Sequence, residues 1–172
     1  HGFFPVFVAA GLKDMGSGRI MGFIDDIAPS PADRAGEKLE NGELLKCDSN
    51  DKTTLFIYKT QSEPQVGIVS YFKVYSGELK PGDELVNAEN GETERISQIF
   101  LAEGKDRTPV DKLGAGDLGV TVKLKYGHSN NTLNSKGIDR KIEPMHFPES
   151  RIRKRIFTEN AAEMEKLISS LH

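Results

Sequence analysis

The sequence predicts a mainly β fold: a six-stranded antiparallel β-barrel flanked by an N-terminal strand-helix piece and a C-terminal strand-helix piece. Three observations carry this. Between residues 54 and 140, about six short stretches rich in β-branched and aromatic residues alternate with turn residues. One of them, Gly67 to Asn87, reads as a complete strand-break-turn-strand unit. On either side lie segments with helical spacing that are too short to make a domain alone.

The chain has 172 residues, of which 28% are charged, and a net charge of −3. One ordinary domain fits, with room for parts of others. Overall charge gives no reason for non-specific binding to DNA, so any nucleic-acid contact must use a local basic patch. The apolar runs fall far short of the roughly 20 residues that cross a bilayer, and no signal peptide is visible, so no membrane partner is expected. The single cysteine, Cys47, excludes an internal disulfide and suits a reducing, cytoplasmic setting. An apolar run begins at Phe3 with no Met at position 1, which reads as a chain opening in mid-fold.

Phe3 to Ala10 is a continuous apolar run of one strand length, with Pro5 placing part of it at an edge. Gly18 to Ala28 sets Ile20, Phe23, Ile24 and Ile27 at helical spacing, with Ser17 as N-cap and Pro29-Ser30-Pro31 as the stop. Residues 33–52 are polar and read as a linker or irregular excursion holding a domain boundary. Leu55 to Thr60 resumes β character, and Gln61 to Val66 reads as a loop.

Ile68 to Tyr75 is a strand. Ser76-Gly77 break it, and Pro81-Gly82-Asp83 turn the chain into a second strand at Glu84. Asn90-Gly91 is a hairpin signal ahead of a long candidate strand, Glu92 to Glu103. Gly104 to Lys112 reads as a charged loop, and Gly114 to Asp117 turns into a strand from Leu118 to Leu124. Tyr126 to Asn131 is another turn before Thr132-Leu133. Arg151 to Phe157 alternates as a strand. Asn160 and Glu163 form a capping-box-like pair before a helix whose stripe is Met164, Leu167, Ile168 and Leu171.

The chemistry-bearing motifs are few. No phosphate-binding G-x-x-x-x-G-K-[ST] loop occurs, so these residues alone cannot build a nucleoside-triphosphate cradle. Four histidines and one cysteine lack metal-ligand spacing, so no metal site is expected. His128 reads as a turn histidine, and Asp111-Lys112-Leu113-Gly114 as a chance D-x-x-G match. Arg151, Arg153, Lys154 and Arg155 form the densest basic cluster, while Lys59, Lys73 and Arg95 could make a smaller strip if strand register puts them on one face. Clustered charge of this kind can hold a phosphate backbone without reading its sequence.

Most of 54–134 resembles the second domain of bacterial elongation factor G. The likeness rests on Tyr58-Lys59, Pro64-x-Val66-Gly67, Phe72-Lys73-Val74-Tyr75-Ser76-Gly77-x-Leu79 and Gly82-Asp83. It continues with Arg107-x-x-Val110-x-x-Leu113, Ala115-Gly116-Asp117-Leu118-Gly119, Lys123-Leu124-Lys125 and Thr132-Leu133. Residues 1–32 then look like the end of that family's GTPase domain and 53–140 like its translation-factor barrel. The remainder, 141–172, looks like the truncated start of its third domain. The resemblance implies a parent that binds GTP or GDP with Mg and promotes movement of tRNA and mRNA on the ribosome. It also implies that the barrel contacts small-subunit ribosomal RNA and packs against the GTPase domain.

The family's guanine-contacting Ser-Ala-Leu motif falls on Ala10, Gly11 and Leu12, which lack the hydroxyl, and its Thr-Gly-Asp-Thr-Leu turn appears as Ser129-Asn130-Asn131-Thr132-Leu133. These departures point to a divergent paralog. Two other readings are a ribosomal protection protein of the tetracycline-resistance type, which shares the domain order, and a barrel serving only as an interaction module. No cofactor and no catalytic residue are expected within this stretch itself.

Overall fold

A computed structural model describes residues 4–104 and 106–157, together with Glu163 and Leu167, both helical. The chain first makes a single helix, α1 (Ser17–Ile27), and then a run of short strands. These are β1 (Glu37–Lys38), β2 (Leu44–Leu45), β3 (Thr54–Glu63), β4 (Gly67–Ser76), β5 (Glu78–Leu79) and β6 (Glu84–Asn87). They continue with β7 (Thr93–Arg95), β8 (Ile99–Glu103), β9 (Asp106–Val110), β10 (Leu113–Gly114), β11 (Leu118–Val122) and β12 (Asn131–Ser135).

Eight of these strands form one antiparallel sheet in the order β7-β6-β12-β3-β4-β11-β8-β9, while β1 pairs with β2 and β5 with β10. The mainly β expectation holds, but the sheet has eight strands among the described residues where six were expected. It is no flat sheet. Leu55 and Ile57 of β3, Phe72 and Val74 of β4, Leu85 of β6, Ile99 of β8 and Leu133 of β12 all meet in one buried cluster. Strands so far apart in the order share a core only if the sheet curls round on itself, as in a barrel. The β6–β7 pairing continues past the strand ends, where the Gly82 N–H donates to the Ile96 carbonyl at 2.6 Å and the Ile96 N–H to the Asp83 carbonyl at 2.9 Å.

The β3–β4 hairpin is the longest pairing, and its register shifts between Ile57 and Lys59, where Tyr58 is the extra residue of a β-bulge. Buried and part-buried residues alternate along β4: Phe72, Val74 and Ser76 point inward, and Tyr71, Lys73 and Tyr75 outward. A second, smaller apolar cluster covers part of that outward face, where Leu39, Leu45 and Ile142 pack on Phe56 beside Tyr58, Tyr75 and Met145.

Several elements differ from the sequence expectation. Residues 4–9 form no strand, and only Ala10 is bridged, to Met15. A strand needs a hydrogen-bonding neighbour, and a run of apolar side chains does not supply one. The helix is present over Ser17–Ile27, but its cap is Gly16 with φ +84, and Ser17 makes no capping bond. Its end before Pro29 is as expected, with Ala28 extended. Phe7 meets Phe23 of α1 edge-on at 4.9 Å, which ties the leading segment to the helix. The 33–52 excursion contains the β1–β2 hairpin.

The single strand expected over Glu92–Glu103 is two, β7 and β8. The break between them lets Ile96 and Ile99, of opposite parity, both enter the core. The expected charged loop Gly104–Lys112 contains β9, paired with β8 along its length. Arg151 to Phe157 is exposed and forms no strand. The capping pair and stripe of the following helix lie outside the described residues, apart from Glu163 and Leu167.

Candidate nucleic-acid interface

The bulge at Tyr58 decides which side chains share a face. Before it Phe56 stands opposite Lys73, and after it Lys59 stands opposite Tyr71. Both partners belong to the outward parity of β4, so the extra residue brings Lys59 onto the same outer face as Lys73. The Lys59 ammonium lies 5.3 Å from the centre of the Tyr71 ring, and the Lys73 ammonium 4.8 Å from that of Tyr75. Tyr58 and Tyr71 stand 6.4 Å apart, tilted at 46°. The result is a strip of two lysines seated on aromatic rings.

Each ring holds a long, flexible lysine by the attraction of a cation for its π-face. That lowers the entropy lost when the ammonium is fixed by a partner. It also covers the ring faces, so the strip presents point charges more than stacking platforms. Burial pushes the Tyr58 and Tyr75 hydroxyls above the usual tyrosine range, so both rings stay neutral at physiological pH.

Two hollows adjoin the strip. One is a cleft where Pro31, Arg34 and Cys47 face Lys73 and Tyr75. The other is an open groove of about 380 Å³ running from Tyr58 and Tyr71 to Leu118 and Leu101. Across its neighbourhood Arg107 of β9 pairs with Glu63 at the end of β3. The carboxylate, and then the Tyr71 hydroxyl, hold the guanidinium pKa above its ordinary value. Sequence reading missed this pairing, because nothing in the spacing of Glu63 and Arg107 says that the two hairpins approach.

The other predicted residues are dispersed. Arg95 is exposed on β7, opposite Glu84, with β6 and β12 lying between it and β3 in the sheet. Arg151, Arg153, Lys154 and Arg155 are exposed on an irregular stretch, with the Arg155 guanidinium 4.8 Å from the Phe157 ring. Ala10, Gly11 and Leu12 form a tight, exposed turn. The Lys13 N–H donates to Ala10 at 2.9 Å and the Asp14 N–H to Gly11 at 3.1 Å, so those two amides are spent within it. Among the described residues no group of three or more His, Cys, Asp or Glu is placed to hold a metal ion. No helix there is long and apolar enough to cross a membrane.

Comparison with known proteins fits this geometry. Residues 52–136 match the family described as elongation factor G domain 2. Elongation factor G of Thermotoga neapolitana is 33% identical over 97% of the chain, and that of Thermotoga maritima 32% over the same share. The chain belongs to the elongation factor G family. It spans 25% of the length of each of these relatives. A crystal structure from Thermus thermophilus shares the fold, with a TM-score of 0.75 at 22% identity over 97% of this chain and 23% of that one. The family match brackets β3 through β12, so the bulged hairpin and its strip lie inside the part that defines the family.

Proposed function

We propose that this stretch is the ribosome-facing module of an elongation factor G-like translational GTPase. In this reading residues 1–32 end the GTPase domain, 33–52 link it to a barrel at 53–140, and 141–172 begin a third domain. The barrel couples GTP hydrolysis in the parent protein to movement of tRNA and mRNA. It does so while its outer strip, Lys59 and Lys73, holds the phosphate backbone of small-subunit ribosomal RNA. The Arg151–Arg155 cluster adds exposed positive charge beyond the barrel. The parent is a cytoplasmic protein.

The observation that carries this reading is the pair of ring-seated lysines on one face of a family-defining hairpin. Net charge is −3, so overall attraction to RNA is absent and a local arrangement must supply it. Two preorganised ammonium groups make phosphate contacts, which position a protein on RNA without reading bases.

GTP or GDP with Mg belongs to the parent protein in this reading. The Ala10–Leu12 turn has no side-chain donor, and a triphosphate with its metal also needs a phosphate loop that these residues do not contain. This stretch therefore contributes at most one edge of a guanine contact and no catalytic group.

The test is binding of the chain to small ribosomal subunits across a series of salt concentrations. The expected result is affinity that falls linearly on a log–log plot, with a shallower slope when both lysines are replaced by alanine. Binding that ignores salt, or a double variant with the parental slope, would overturn the proposal.

A further inference from the structure

The chain entering the barrel and the chain leaving it are fastened to each other. Leu39, beside β1, forms an antiparallel bridge with Ile142. The Glu40 N–H donates to the Lys141 carbonyl at 2.9 Å, and the Glu143 N–H to the Lys38 carbonyl at 3.1 Å. Lys38 and Glu143, 105 positions apart, also form an ion pair at 3.3 Å. Beneath them Leu39 and Ile142 are 5% and 4% exposed, packed with Leu45 on Phe56 of the barrel wall.

Side chains of the barrel then anchor the outgoing segment. Asn130 holds Met145 by both backbone groups, its Nδ2 donating to the carbonyl at 3.1 Å and its Oδ1 accepting from the N–H at 3.0 Å. The Ile142 N–H donates to Thr132 Oγ1 at 3.1 Å, and Asn134 Nδ2 to the Arg140 carbonyl at 2.7 Å.

We propose that the β1–β2 hairpin and residues 139–145 are one clamp, opening and closing as a single cooperative unit on the barrel wall. Its apolar floor is only a few side chains, against eleven buried residues in the barrel core, so it opens at a lower free energy than the barrel. Each half covers backbone groups and apolar surface of the other, so neither can lift away alone without exposing them. A displacement of the chain before the barrel is thereby passed to the chain after it. The clamp rests on these contacts alone and needs no RNA, so its failure would leave the RNA-binding proposal standing.

Amide hydrogen exchange on this chain tests it from both sides. Asn130→Gly removes the two bonds to Met145 and suits the left-handed backbone there (φ +72), so it loosens only the outgoing half. Gly42→Ala strains the tip of the incoming hairpin (φ +86) in open space, so it loosens only the incoming half. The clamp predicts that each variant speeds exchange on the order of tenfold at both Leu39, whose N–H is bonded within the incoming hairpin, and Ile142, whose N–H is bonded to the barrel. Val74 of the barrel keeps its protection. Acceleration confined to the substituted half in both variants would overturn the proposal. So would equal acceleration of Val74 in both, since no separate unit would then exist.

Discussion

Gly77 lies so close to the backbone of Thr53 that a Cβ on Gly77 would stand 2.5 Å from the Thr53 Cα and N. Its φ of +75 is also a conformation that side chains resist. The contact joins the end of β4 to the start of β3 and is reinforced by the Thr53 hydroxyl, which donates to the Glu78 carbonyl at 2.8 Å. Gly77→Ala should therefore cost about 2–4 kcal/mol, combining left-handed strain with a clash against backbone that cannot swing aside. Urea unfolding followed by circular dichroism measures this. A midpoint equal to that of the parent would contradict it.

Phe72 and Ile24 make a paired prediction about where stability resides. Phe72 is fully buried in the barrel core, while Ile24 of α1 is 50% exposed on a helix with no buried residue. Phe72→Ala should cost about 3–5 kcal/mol through lost burial and the cavity left behind. Ile24→Ala should stay within about 0.5 kcal/mol. Thermal midpoints of the two variants compared with the parent decide it. A large loss from Ile24→Ala would show that α1 supports the barrel.

For RNA binding, Lys59→Ala and Lys73→Ala should each reduce the slope of log affinity against log salt by roughly one. Arg95→Ala should leave the slope unchanged, because the sheet order sets Arg95 apart from the strip. Equilibrium binding to small subunits at several salt concentrations reads all three. A flattened slope for Arg95→Ala would move the interface to another face.

Acid should weaken the fold below about pH 4. Among the described residues four carboxyls are held below their ordinary range, while burial pushes a fifth, Glu89, up, so that it opposes the trend. For Asp33 the causes are the Ser30 hydroxyl and then its N–H. For Asp51 partial burial opposes the shift but is outweighed by the Arg140 hydrogen bond, the Lys52 N–H and the nearby positive charge. Glu78 is lowered by Lys80 and Lys112, and Glu84 by Lys136. A lowered folded pKa contributes stability above the unfolded value, about 3.9 for Asp and 4.3 for Glu. That contribution is lost as pH falls through the folded value. Because the four lowered groups are reached and screened by solvent, urea midpoints at pH 7, 5 and 3 should show little change over the first interval and a modest drop over the second. A midpoint at pH 3 equal to that at pH 5 would refute it.

What could be read from the sequence was the local chemistry. Pro81-Gly82, Asn90-Gly91 and the Gly114–Asp117 turn each carry their own backbone preference, and each falls where the chain reverses. β9 was illegible because it is an edge strand: Asp106, Arg107 and Pro109 read as a loop, yet charge and proline suit a strand with one free side. The two-way split of 92–103 depends on Ile96 and Ile99 both finding the core, which is a tertiary fact. Of the candidate interface, the residue types of the strip were legible and their shared face was not. Lys59 and Lys73 come together only through the register shift at Tyr58.

That shift gives the hairpin a spare position that substitution would not reveal. Deleting Tyr58 would restore an unbroken ladder in which Lys59 follows Ile57 directly and stays opposite Tyr71 on the outer face. Pairing with Tyr58 kept in step would instead set Lys59 opposite Ser70, in the barrel interior, so it is the bulge that lets the extra residue and the surface charge coexist. Natural variation across this hairpin should accordingly tolerate replacement or loss of the residue between Ile57 and Lys59, while the residue count from Lys59 round to Tyr71 holds.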